Sequence, residues 1–256
     1  MIKRNFRLLF LSLLLSSICV FASTDHIEVG IDEKLGDYLP LDAQFTNSDG
    51  DIVLLGDLLK KPTLLSIVYY ECPGICAPLL AELGWILGKV ELKPVEDFQI
   101  ITISMDHTET HEIAYRWKQN YFDGMKKKED KNAWTFLTGD STNVYKVTNA
   151  LGFYFKKEGK DFTHPGAIMA ISPKGKISRY LLGVQFNPFD VKMALLDAES
   201  GKTNPTVAKV LKFCFSYDPD GRRYSLNVTR ISGVIVFISL GIFLFGVVLK
   251  KKKLVS

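Results

Sequence analysis

A continuous apolar segment that ends in a turn with two cysteines constrains the fold of this chain most. Residues 63–69 read TLLSIVY, without the alternation of a half-exposed strand, which is typical of a central strand covered on both faces. Cys72 and Cys76 follow, and Pro78 begins the apolar spacing of an amphipathic helix. A helix N-terminus favours a thiolate, the form of cysteine that attacks disulfides and binds soft metals. The turn is therefore the predicted chemical centre.

Predicted strands and helices alternate along the central part of the chain. Further strands are predicted at 98–105, 133–137, 153–155, 166–172 and 176–182, with an exposed loop at 156–164. Further helices are predicted to begin near Thr108 or Thr110, near Asp140 or Ser141, and at Pro188. This order, with a cysteine turn after a central strand, predicts an α/β fold, a thioredoxin-like three-layer sandwich.

Both ends of the chain contain apolar segments. Residues 1–22 begin with basic residues, continue with an apolar run and end in Val-Phe-Ala, which predicts a secretory signal peptide cleaved after Ala22. An uncleaved anchor, or a lipoprotein attached at Cys19, is the alternative. Residues 231–249 are uncharged and long enough to span a bilayer, and lysines occupy 250–253. These features predict an inner-membrane protein with one C-terminal span and a soluble domain that faces the periplasm.

The predicted domain organisation follows from these segments. It comprises a signal peptide (1–22), an extended lead-in (23–45), a thioredoxin-like domain (46–203), a stalk or hairpin (204–230), a transmembrane helix (231–249) and a cytoplasmic tail (250–256). The net charge of +4 gives no reason to expect nucleic acid or a polyanionic substrate.

The number of cysteines argues against a disulfide scaffold. Removal of the signal peptide leaves Cys72, Cys76 and Cys214, an odd number. A structural disulfide or inert thiols are the plainer alternatives for the first two, but a pair at a strand-to-helix turn favours reactive or ligating thiols. Cys214 is predicted to be a packed thiol in the stalk or to form an intermolecular disulfide.

His164 is the predicted third ligand of a metal site. Two thiolates suit Cu(I) but leave its coordination incomplete, so a ligand from elsewhere is expected. His164 lies just before a predicted strand, and in a thioredoxin-like fold that loop lies against the cysteine turn. His26 and His111 are interpreted as surface residues, and so is His107, for which an extra transient ligand is the alternative.

These residues together resemble the Sco/SenC family. The resemblance includes YECPGIC at 70–76, the strand end Ser104-Met105-Asp106, WTFLTG at 134–139 and His164. Members are thioredoxin-fold copper-binding proteins that assist cytochrome c oxidase assembly, so the resemblance implies copper, as Cu(I) or Cu(II), on Cys72, Cys76 and His164. The tail resembles the bacterial branch anchored at its C-terminus. The chain departs from the usual pattern at Gly74, Ala77 and His107.

The resemblance predicts a membrane-tethered copper metallochaperone. The expected partners are the oxidase subunit that houses the copper A centre, a thiol reductant or another copper chaperone, and the membrane. The alternative is a thiol–disulfide oxidoreductase in which Cys72 and Cys76 are redox-active and keep that subunit's cysteines reduced. His164 distinguishes the two functions, because a reductase needs no third ligand. A peroxidase lacks support, because Glu71 and the wide cysteine turn do not fit such a site.

Overall fold

The structure, a computed structural model, describes residues 28–125, 129–204, 215–218 and 223–226, together with residues 232, 236 and 239–241. The strands are β1 (Gly30–Ile31), β2 (Gln44–Asn47), β3 (Ile52–Leu54), β4 (Thr63–Val68), β5 (Gln99–Ser104), β6 (Trp134–Thr138), β7 (Phe153–Tyr154), β8 (Lys156–Glu158), β9 (Asp161–Thr163), β10 (Ala167–Ile171), β11 (Ile177–Leu182), β12 (Phe215–Asp218) and β13 (Arg223–Leu226). The helices are α1 (Leu55–Leu58), α2 (Cys76–Leu87), α3 (His111–Gly124), α4 (Ser141–Ala150) and α5 (Pro188–Glu199).

A seven-stranded sheet with the order β11-β10-β4-β5-β6-β2-β3 forms the centre of the fold. The strands β4, β5 and β6 run parallel, and the flanking strands pair antiparallel. Every residue of β4 is buried, so both faces of the sheet are covered there, as its continuous apolar sequence predicts. The predicted thioredoxin-like α/β fold is confirmed. The cysteine turn leaves the carboxyl end of this central strand and enters α2.

A layer of aromatic rings lies beneath the cysteine turn. The Trp134 and Phe136 rings on β6 are 4.8 Å apart, and Phe136 is 5.7 Å from the ring of Tyr70. The Trp134 indole donates a hydrogen bond of 2.8 Å to the Thr102 hydroxyl on β5, so its buried N–H is satisfied. The Tyr70 hydroxyl donates to the Leu137 carbonyl at 2.9 Å. The turn therefore begins on a rigid part of the core.

Three features of the structure differ from the sequence-based predictions or were not predicted. Residues 156–164, predicted as a loop, contain the antiparallel hairpin β8–β9. β7 pairs with β1 of the lead-in rather than with the central sheet, because the lead-in is held there by backbone hydrogen bonds such as Asp32 N–H to Gly152 O at 2.8 Å. The helix predicted from Pro78 begins earlier, at Cys76, because Ile75 already has helical backbone angles and its carbonyl accepts from Leu79.

The predicted terminal segments are only partly described. In the predicted stalk, β12 pairs antiparallel with β13. Among the described residues, no helix has the length and apolar character needed to cross a bilayer. The predicted signal peptide, Cys214 and most of the predicted span at 231–249 lie outside the described residues. The predicted domain boundaries stay predictions.

Gly152 is expected to be a sensitive position for stability. Its φ is +58°, and a Cβ there would lie 1.9 Å from the carbonyl oxygen of Asp32. Gly152→Ala is expected to lower the free energy of unfolding by about 3 kcal/mol, since a left-handed residue costs ~1–2 kcal/mol and an overpacked contact costs a similar amount. Equilibrium denaturation measures the change.

Gly159→Ala is the matched control for that substitution. Gly159 also has a positive φ, +67°, but a Cβ added there would meet no atom within 4 Å beyond its own chain neighbours. This control should therefore show the conformational cost alone, about 1 kcal/mol. Equal losses in the two variants would contradict the predicted clash with Asp32.

Candidate metal centre

The two cysteines of the turn differ in burial. Cys76 is the first residue of α2 and is 1% exposed, whereas Cys72 is only partly buried. Both are free thiols. The Gly74 N–H donates to the Cys72 sulfur at 3.2 Å, which helps to fix that sulfur inside the turn. Cys72 is therefore the cysteine that an incoming molecule meets first.

The fold brings His164 to the two sulfurs. His164 lies between β9 and β10, and its Nε2 is 3.2 Å from the Cys76 sulfur. Its Nδ1 is 3.1 Å from the Pro165 carbonyl oxygen, which only accepts hydrogen bonds, so the ring proton lies on Nδ1. Nε2 then presents its lone pair to the sulfurs, the arrangement of a metal-binding imidazole whose other nitrogen is held by a carbonyl.

The three side chains form a compact group of soft donors. The sulfurs of Cys72 and Cys76 and a ring nitrogen of His164 all lie within 4.8 Å of one another. A three-ligand site with bonds of about 2.1–2.3 Å has its donor atoms roughly 3.6–4.0 Å apart, so small side-chain adjustments would close this group around one ion. Within the described part of the chain, this is the one group of cysteine, histidine and acidic residues with such spacing.

Hydrogen bonding shifts the pKa values of the two cysteines in opposite directions. The Cys76 thiol donates to the Cys72 sulfur, which is the main reason that the pKa of Cys72 is lowered to about 3. The same hydrogen bond, together with burial, raises the pKa of Cys76 far above its usual range. The reduced centre therefore contains an accessible thiolate at Cys72 and a buried thiol at Cys76, and metal binding would displace the Cys76 proton.

Aromatic side chains enclose the imidazole. The Tyr69 ring meets His164 edge-on with centroids 6.1 Å apart, and the Phe153 ring lies 6.3 Å from it. The Tyr69 hydroxyl lies near Asp161 Oδ1, at 3.4 Å, and also interacts with the Cys72 sulfur. Burial, and next the hydrogen bond to Cys72, raise the pKa of Tyr69, so this hydroxyl stays protonated as a donor. These contacts limit rotation of the imidazole away from the sulfurs.

Sequence reasoning missed one polar residue that supports the turn. Glu109, 8% exposed, accepts hydrogen bonds from the backbone N–H groups of Tyr70 and Glu71, each at 2.8 Å. The available signal was an acidic residue in the short loop after the buried strand β5, since the carboxyl ends of neighbouring parallel strands meet at one edge of the sheet. The contacts of Tyr69 with His164 and Cys72 were also missed, because Tyr69 was assigned only to the predicted strand at 63–69.

The two other histidines in the described part of the chain do not join the group. His107 is exposed and His111 is partly exposed, and the His111 ring lies 3.3 Å from a carboxylate oxygen of Glu112. His26 lies outside the described residues. Gly166, two residues after His164, packs against Gly183 and Val184, which follow β11.

Known proteins resemble this chain over its central domain. A family model described as SCO1/SenC matches residues 39–195. A SCO1 protein homolog of Bacillus subtilis is 27% identical over 154 residues, which cover 57% of this chain and 75% of the relative. The structure of a putative electron transfer protein from Aquifex aeolicus is 30% identical, with a TM-score of 0.59, and covers 66% of this chain and 96% of its own.

A more distant solved structure shares the fold. Arabidopsis thaliana ScoI, whose structure contains bound copper, is 18% identical to this chain with a TM-score of 0.52. The similarity covers 65% of this chain and 99% of the Arabidopsis chain.

Proposed function

This chain belongs to the SCO1/SenC family, whose model matches residues 39–195, and on that premise we propose that it is a copper metallochaperone tethered to a membrane. Its cargo is one copper ion, held by the sulfurs of Cys72 and Cys76 and by Nε2 of His164. The recipient is the cytochrome c oxidase subunit that forms the copper A centre.

The convergence of an imidazole on two sulfurs carries this proposal. His164 is separated from Cys76 by 88 residues in the sequence, yet their ligand atoms are 3.2 Å apart. Thiolate ligands favour Cu(I), and imidazole also suits copper in its oxidised state. A donor set of two sulfurs and one nitrogen therefore accommodates either oxidation state. A protein that only exchanges disulfides would not need an Nε2 lone pair directed at both sulfurs.

Release of the ion follows from the unequal exposure of its ligands. Cys72 is partly exposed, whereas Cys76 is buried at the start of α2. The residues next to Cys72 in the turn, Pro73 and Gly74, are exposed and uncharged, so a recipient's cysteine can approach the ion from that side. Copper then passes by ligand exchange, with the recipient's sulfurs replacing Cys72 first and the buried ligands afterwards.

The proposed location rests on the two ends of the sequence. The apolar segment at 1–22 supports export, and the apolar run at 231–249 with its following lysines supports a C-terminal anchor in the inner membrane. The copper centre would then face the periplasm, where a thiol reductant or another copper chaperone would load it.

Thiol–disulfide exchange is the second candidate function, and the asymmetry of the two cysteines favours it. Cys72 is an accessible thiolate, and Cys76 is a buried thiol beside it. The Cys72 thiolate would attack a disulfide of the oxidase subunit and release one of its thiolates. Deprotonated Cys76 would then attack the mixed disulfide, which releases the second thiolate and leaves Cys72 and Cys76 oxidised to a disulfide.

A transfer experiment tests the proposed function. Purified full-length protein is loaded with one equivalent of Cu(I) and mixed with a copper-free, reduced copper A domain. The copper content of each protein is then measured after separation. Transfer is expected from the wild type but not from Cys72→Ser. A wild-type protein that prefers zinc, or binds neither metal, would contradict the copper assignment. Reduction of an oxidised copper A domain without copper transfer would favour the second function.

A further inference from the structure

We propose that Glu109 is a positioning residue of the cysteine turn, which holds the main chain before Cys72 so that the three ligand atoms meet. The inference rests on the proposed function, because it explains how the copper ligands are arranged before the ion arrives. Glu109 lies in the loop between β5 and α3, on a different segment from all three ligands.

The Glu109 carboxylate binds the backbone of the turn at two successive residues. Oε2 accepts from the Tyr70 N–H and Oε1 from the Glu71 N–H, both at 2.8 Å. These N–H groups come just after the end of β4, where no neighbouring strand accepts their hydrogen bonds. The carboxylate is the acceptor instead. Since Glu71 directly precedes Cys72, this contact sets the point from which the Cys72 side chain departs.

The carboxylate is itself held in place from the core side. The Ser104 hydroxyl, at the end of β5, donates to Glu109 Oε2 at 2.5 Å. The same hydroxyl accepts from the Asp106 N–H at 3.1 Å, which fixes the loop that carries Glu109. Ser104 is 0% exposed, so its hydrogen bond to the carboxylate is shielded from water. Hydrogen bonds to a charged group contribute most in such a buried environment. Glu109 thus connects the end of β5 to the turn that follows β4.

The remainder of the turn has few such attachments. Tyr70 is held by Glu109 and by its own hydroxyl, which donates to the Leu137 carbonyl. Beyond Glu71, the hydrogen bonds described for the turn end on the Cys72 sulfur, which accepts from the Gly74 N–H at 3.2 Å and also from Cys76 and Tyr69. The outward ion pair between Glu71 and Arg116, at 3.1 Å, has both side chains more than half exposed and contributes little. Glu109 is therefore the side chain that holds the backbone immediately before Cys72.

Removal of Glu109 should change copper retention more than it changes the fold. In Glu109→Ala, the Tyr70 and Glu71 N–H groups lose their acceptor and the turn gains freedom, so the three ligands are no longer arranged in advance. The rate of copper transfer to a Cu(I) chelator is expected to rise about 10-fold or more. This effect is typical of losing a residue that orients metal ligands. Glu109→Gln should show a large part of this effect, because its amide N–H₂ would face a donor.

Two variants serve as matched controls. Ser104→Ala removes one of the three donors to the carboxylate and should give an intermediate rate of copper loss. Arg116→Ala removes the exposed ion pair to the Glu71 side chain and should retain copper like the wild type. If Glu109→Ala does not fold, Glu109→Gln and Ser104→Ala still test the proposal.

The measurements separate positioning from general stability. Purified full-length variants are compared by their rate of copper loss and by the Tm of the copper-free and copper-loaded forms. A positioning role predicts a smaller rise in Tm on copper binding. If copper-free and copper-loaded Tm fall equally, with an unchanged rate of copper loss, Glu109 is only structural and the proposal is overturned.

A thiol measurement keeps the proposal testable if the wild type binds no copper. The reduced protein is equilibrated with glutathione disulfide. Cys72 attacks it and releases one glutathione, and Cys76 attacks the mixed disulfide and releases the second. The equilibrium constant for this closure is expected to fall about 10-fold in Glu109→Ala, because Cys76 is less well placed to reach Cys72. An unchanged constant would count against positioning by Glu109, whereas failure of copper binding alone would count only against the proposed function.

Discussion

Replacement of His164 with alanine is expected to lower copper affinity by about 100-fold or more. Loss of a residue that only orients a metal ligand lowers affinity by about 10- to 100-fold, and His164 is itself a proposed ligand. His164 Nε2 lies 3.2 Å from the Cys76 sulfur and completes the group of three donors. Two sulfurs remain in the variant, so weak Cu(I) binding persists. Cu(II), which depends more on the imidazole, should be lost more completely. Competition with a chelator of known affinity measures both states.

His107→Ala and His111→Ala are the controls for this prediction. Each removes an imidazole that is at least partly exposed and lies outside the candidate centre, so copper affinity should be unchanged. The Tm of each copper-free variant shows whether the fold is retained, because the His164 ring also packs against Tyr69 and Phe153. A His164→Ala protein with wild-type affinity for both copper states would contradict the metal centre and favour thiol–disulfide exchange.

Replacement of Cys76 with alanine is expected to change how the reactivity of Cys72 depends on pH. The hydrogen bond from the Cys76 thiol is the largest cause of the lowered pKa of Cys72, about 3. A lowered pKa means that the thiolate is present at every pH well above that value. Alkylation of Cys72 in the wild type should therefore vary little between pH 5 and pH 8. In Cys76→Ala the pKa should rise toward the ordinary value of about 8.5, and the rate should increase with pH across this range.

The shape of the pH profile is the observable, rather than the rate at one pH. A thiolate of lower pKa is also a weaker nucleophile, so the two effects partly cancel in any single rate. Cys76→Ser is the matched control, because its hydroxyl can still donate to the Cys72 sulfur. Its profile should stay closer to that of the wild type. Indistinguishable profiles for the alanine variant and the wild type would show that the Cys76 thiol does not set the ionisation of Cys72.

Local sequence predicted the elements with a strong internal pattern. The run at 63–69 became the fully buried strand β4, and the strands predicted at 166–172 and 176–182 became the antiparallel pair β10 and β11. Short, polar segments were predicted less well. The hairpin β8–β9 contains Lys156, Lys157, Glu158 and Asp161, which have low strand propensity, and it is stabilised by pairing and by Phe162, which packs 5.1 Å from Tyr69.

The sequence by itself determined the strand-to-helix cysteine turn and the thioredoxin-like order of elements, because hydrophobic spacing and proline positions act over a few residues. The choice of His164 then followed from the position of its loop in that expected fold. Only the tertiary structure decided that Nε2, rather than Nδ1, is directed toward the sulfurs, since the Pro165 carbonyl takes the Nδ1 proton. It also decided that Glu109 binds the chain before Cys72. A buried carboxylate finds its donors through the meeting of separate strand ends, and no local pattern encodes that meeting.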